Sequence, residues 1–99
     1  MARLKGKPVL ELRKQDVEWI KQGNWKEDPF IKRIPLRSKD KIEMFFELHS
    51  PKYMTQSFVI WGIHLESVTV YKLIRVMLEY GVLEKVETTT YPFFRLRQK

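Results

Sequence analysis

Glu79-Tyr80-Gly81-Val82-Leu83-Glu84-Lys85-Val86 is where the chain changes its period. Upstream, Val70, Leu73, Ile74 and Met77 recur at three- and four-residue spacing, which gathers them in one sector of a helix running from about Glu66 to Tyr80. Gly81 ends that helix, because a residue without Cβ takes positive φ at little cost. Downstream the pattern alternates. Val82–Glu87 reads as one strand and Tyr91–Arg97 as a second, with Thr88-Thr89-Thr90 as the hairpin tip between them.

Working back from Glu66, Thr55 caps a short helix over Gln56–Trp61, and Gly62-Ile63-His64-Leu65 supplies the turn into the long helix. Before that, Ser38 precedes Lys39–Leu48, where Ile42, Phe45, Phe46 and His49 share a face, so a first helix is expected there. Ser50-Pro51 stops it, since the Pro ring disfavours helix at the preceding residue. Tyr53-Met54 is expected to add a short edge strand to the hairpin.

The segments Met54–Ile63, Glu66–Val70 and Leu78–Val86 together resemble the winged-helix transcription factors of archaea and bacteria. The shared hallmark is an apolar recognition helix ending in a Gly, two apolar residues and a charged pair. The resemblance is specific for fold and names no individual protein. It implies an α+β fold, a winged helix-turn-helix with a three-helix core and a C-terminal β-hairpin wing over residues 38–99. Residues 1–37 are an N-terminal strand and helix extension packed on that module, all within one compact domain.

The extension is not linker-like, because Val9, Leu10, Leu12, Val17, Trp19, Ile20, Trp25, Phe30, Ile31, Ile34 and Leu36 need burial. It reads as a strand at Val9–Leu12, a helix at Lys14–Gln22, a break at Gly23-Asn24, a turn at Asp28-Pro29 and an extended segment from Phe30 to Leu36. Two roles suit it: capping the core within one subunit, or pairing two copies into a homodimer. Trp19, Trp25 and Trp61 are assigned to packing, Trp61 most firmly.

The formal net charge of +7 and the absence of Cys narrow the function classes. No disulfide, thiolate metal site or cysteine nucleophile can form. His49 and His64 lack the neighbours that would complete a metal site. No Gly-rich phosphate loop, nucleophile with its base or paired-carboxylate site is visible, so no catalysis and no cofactor is expected. No run of about 20 apolar residues and no signal-peptide core occurs, which points to a cytoplasmic protein without a membrane partner. Few amide residues against 31% charged residues is a balance found in thermophilic sources and in ordinary basic domains alike.

Double-stranded DNA is the polyanion the charge suits. The helix at about 66–80 is then the one that enters the major groove, with Ser67, Val68, Thr69, Tyr71, Lys72 and Arg75 as candidate contacts near its start and along its outer face. On the second strand, Arg95 and Arg97 alternate with Phe94 and Leu96, so both guanidinium groups are expected on one face as phosphate contacts, with Lys85, Lys52 and Lys99 as additions. Arg3-Leu4-Lys5-Gly6-Lys7 resembles a basic arm. The role expected is a small transcriptional regulator. A protein-interaction winged helix is the alternative, and it requires Val76 and Tyr80 to be exposed beside Val68 as an apolar contact surface.

Overall fold

Three helices come first and an antiparallel hairpin follows them, in an α+β arrangement compatible with a winged helix. The computed structural model describes residues 20–98. Helix α1 spans Leu36–His49, α2 Gln56–Ile63 and α3 Ser67–Glu79, and strands β1 and β2 span Leu83–Glu87 and Pro92–Leu96. Two single-turn 3₁₀ helices, Trp25–Glu27 and Pro29–Ile31, precede α1. The strand expected at Val9–Leu12, most of the helix expected at Lys14–Gln22, Trp19 and the Arg3–Lys7 arm lie outside the described residues. Ile20–Gln22 are described and are not helical.

The core lies where α3 crosses the other two helices and the hairpin. Val70, Leu73, Ile74 and Met77 are all buried, as their spacing requires, and they meet Ile42 and Phe46 of α1, Val59 and Ile63 of α2, and Leu83 and Phe94 of the hairpin. Truncating a fully buried Leu or Phe in such a cluster costs about 2–5 kcal/mol. The end of α3 forms a Schellman motif: Val82 N–H donates to Met77 O at 2.8 Å, Gly81 N–H donates to Leu78 O at 3.0 Å, and Gly81 sits at φ +73°. This closure turns the chain directly into β1.

The strands pair Leu83 with Leu96, Glu84 with Arg95 and Lys85 with Phe94. Thr88 shapes the tip, its hydroxyl accepting from the N–H of Thr90 and Tyr91 and donating to Tyr91 O at 2.7 Å. The expected edge strand at Tyr53-Met54 is a single bridge, in which Met54 and Phe94 exchange both N–H···O bonds at 2.7 Å.

Further expectations need correction, the burial of Phe30 and Leu36 among them, since both are exposed. The first helix begins at Leu36 rather than after Ser38, because Pro35 sets the entry and its carbonyl accepts from Ser38 and Lys39 N–H. The second helix runs on to Ile63: Gly62 is helical, and it is His64, at φ 57°, that turns the chain. Gly62 serves packing, since a Cβ there would lie 2.5 Å from the Phe45 ring. Phe30–Leu36 is not extended: it holds part of the second 3₁₀ turn, stabilised by Asp28 accepting from Phe30 N–H at 2.8 Å, and the start of α1. Trp25 is buried at 5% exposure, but Trp61 is 74% exposed, because α2 is apolar nearly all round and has only one inner face.

Candidate nucleic-acid interface

The outward side of α3 is set by what the inward side must bury. Ser67, Val68, Tyr71 and Arg75 are exposed, and Thr69 and Lys72 flank them half-buried. Val68 is 60% and Tyr71 49% exposed, so two large side chains stand out from the first turns of this helix. Val76, one turn from the C-terminal end, is fully buried. Tyr80 is half-buried, and its hydroxyl donates to Asp28 at 2.8 Å.

The segment before α1 provides this cover. Lys21 N–H donates to Glu79 O at 2.9 Å, and Lys21 Nζ meets the Glu79 carboxylate at 2.9 Å while lying over the Tyr80 ring. Lys26 ties the same segment to α1 through ion pairs with Asp40 and Glu43, each at 2.7 Å. Lys39, whose stem is buried, donates to Lys26 O at 2.6 Å. Burial alone would raise the Asp28 carboxyl, but the Phe30 N–H, the Tyr80 hydroxyl and the Lys21 charge outweigh it and hold it below its ordinary value. Its hydrogen bond to Asp28, with burial in support, raises the Tyr80 hydroxyl. Hydrogen bonds to Glu79 and to Asp40 and Glu43 likewise raise Lys21 and Lys26.

Phe30 was not among the candidate contacts, yet it lies on the outer face of α3. Lys72 Nζ is 5.7 Å and Arg75 Cζ 5.2 Å from the centre of its ring, within cation–π range. The aromatic ring therefore sets the direction of two cations that the helical projection leaves free. The sequence predicts burial of Phe30, but it is 47% exposed. Lys32 and Arg33 follow along the same segment and Arg37 lies in the first turn of α1, all exposed.

The hairpin departs from expectation in its arginines. Arg95 is not a free cation: its Nε bonds the buried Glu84 carboxylate at 2.6 Å, its Nη1 reaches Pro51 O at 3.3 Å, and its guanidinium stacks 4.3 Å from the Tyr53 ring. Arg97 donates from Nε to Gly81 O at 2.9 Å, and its Nη2 is buried without a hydrogen-bond partner among the described residues. Both guanidinium groups thus have internal partners, Arg95 on β1 and on the loop before α2, Arg97 on the turn after α3. For Arg95 the reason is the register, which sets it opposite Glu84.

A cleft of about 270 Å³ opens instead between α3 and the hairpin, bringing Tyr71 and Arg75 together with Gln56 and Lys85. Arg75 and Lys85 each hold an acidic neighbour, Glu79 at 3.4 Å and Glu87 at 3.0 Å, and such exposed pairs exchange readily for another anion. His49 ends α1 inside an aromatic cluster and His64 occupies the turn after α2. No group of three or more His, Cys, Asp or Glu that could hold a metal occurs among the described residues, and none of the described helices is long and apolar enough to cross a membrane. Comparison with protein-family models, with curated proteins and with solved structures finds no match for this chain.

Proposed function

We propose that this chain is a winged helix-turn-helix protein that binds double-stranded DNA as a small regulator of transcription, with α3 in the major groove. The observation that carries the reading is the division of α3 into two parts. Its C-terminal part is closed off, Val76 being buried and Tyr80 bonded to Asp28, while Ser67, Val68 and Tyr71 at its start stand in solvent. A groove reader needs that distribution, since the first turns of the inserted helix meet the base edges. The interaction-module alternative needs Val76 and Tyr80 as a contact surface; the burial of Val76 and the bond of Tyr80 to Asp28 count against it.

Each contact then has a chemistry. Ser67 and Thr69 hydroxyls bond base edges or phosphates, Val68 meets a thymine methyl, and Tyr71 packs on the groove wall. Lys72 and Arg75, held by the Phe30 ring, approach the backbone beside the groove. The cleft between α3 and the hairpin takes a phosphate between Arg75 and Lys85, which gives the hairpin the anchoring part of a wing without using Arg95 or Arg97. Heteronuclear NMR with a short duplex tests the placement. Shifts concentrated at residues 67–75 and at Lys85 support it; shifts confined to other surfaces, or spread evenly over every lysine, oppose it.

A further inference from the structure

A second exposed surface lies on α1 and α2 and shares no residue with the α3 contacts. Leu48 is 79% exposed, Trp61 74% and Met44 64%, and these side chains flank a ridge of rings in which the Phe45, His49 and Phe58 centroids lie 4.5–5.8 Å apart. A groove lies on each side of the ridge. One, of about 290 Å³, runs between α1 and α2 over Gly62, with Lys41 as its charged residue. The other, of about 430 Å³, lies toward the hairpin and holds Lys52. Neither groove is lined by a carboxylate, and Arg37, one turn before Lys41, extends the basic edge.

We propose that this face binds an acidic amphipathic helix of another protein. The grooves are shallow and mainly apolar, each with room for a Leu or Phe side chain, which suits a helix that carries two such anchors on one face. The lysines at the edges then meet carboxylates flanking the anchors, so charge chooses the partner while the apolar side chains supply affinity. A second copy of this chain suits the face poorly. Its net charge is +7, and stacking two such faces brings Lys41, Lys52 and Arg37 of both copies together. A lipid surface presents no discrete knobs to fill the grooves. The inference uses none of the α3 contacts and stands apart from DNA binding.

The test is calorimetry and Trp emission on the full chain with an amidated helical peptide of about 16 residues, Leu and Phe at i, i+4 and i+7 and Glu on its flanks. Two control peptides carry Lys for Glu or a scrambled order. Saturable binding of the Glu peptide is expected, weakened at least about tenfold by Leu48→Glu at unchanged thermal midpoint and weakened with a flatter salt dependence by Lys41→Glu, Lys52→Glu. A blue shift in emission that disappears in Trp61→Phe is expected as well. No binding at millimolar peptide, or equal binding of either control, would overturn the proposal. So would concentration-dependent self-association that shields Trp61, or phosphatidylserine vesicles or oligo-dT capturing the face more tightly than the peptide.

Discussion

Asp28 is the residue on which the cover over α3 turns. It is 5% exposed, caps the Pro29–Ile31 turn through Phe30 N–H and accepts from Tyr80, so one carboxylate sets both the position of Phe30 and the closure of the helix end. Its carboxyl is held below the ordinary 3.8, so its contribution is complete above that value and fades as pH falls through the folded value. Tyr80 has the opposite sign. It is held above its ordinary 10.0, so its contribution is complete below that value and is lost as pH rises through the folded one. Asp28→Asn is expected to cost about 1–3 kcal/mol at neutral pH and to flatten the acid limb of stability, read from urea midpoints between about pH 2 and 6. Arg95 and Lys85 separate structure from binding at the same scale. Arg95→Gln removes a charge-assisted bond, and a loss of about 1–3 kcal/mol is expected with the salt slope of DNA binding unchanged. Lys85→Ala should leave the urea midpoint nearly in place and reduce that slope by about one. Charge alternation in the sequence located Arg95 on the strand, which ends at Leu96, one residue before Arg97. It could not reveal their internal partners, because those of Arg95 follow from a register opposite Glu84 and from contacts with Pro51 and Tyr53 far along the chain, and that of Arg97 is the carbonyl of Gly81.

Among the elements, α3 and the hairpin were legible because two independent signals agree on them: the apolar stripe and the change of period at Gly81. Gly81 bears the conformational part of that signal. Gly81→Ala must hold a side chain at φ +73° with its Cβ 2.6 Å from Ile20, and a loss of about 1–3 kcal/mol is expected in thermal or urea unfolding. The stretch before α1 was not legible. Its 3₁₀ turns are set by Asn24 and Asp28 side chains accepting local N–H groups, and its place on α3 by the Tyr80 and Glu79 contacts, none of which has a period. In α2 the sequence Phe58-Val59-Ile60-Trp61-Gly62-Ile63 is apolar throughout, so its pattern does not say which side chains remain outside. That is why the exposure of Trp61, and with it the ridge and its two grooves, emerged only from the packed structure.

At the scale of the whole molecule, the excess positive charge and the bare start of α3 have to act together. In the proposed reading, charge would supply encounter and a salt-dependent affinity common to all duplexes, and Ser67, Val68, Thr69 and Tyr71 would supply any preference among sequences. The central claim is therefore that affinity divides into these two parts. Its most direct measurement is the affinity for a duplex selected from a random pool and for an unselected duplex, each across a salt series, with the native chain and with Val68→Glu, Tyr71→Ala. The account predicts a selected duplex bound at least about a thousandfold more tightly, a steep salt slope on both duplexes, and a double variant that loses the preference while keeping most of the unselected binding. A chain that binds selected and unselected duplexes alike, with the double variant indistinguishable from native, would contradict it.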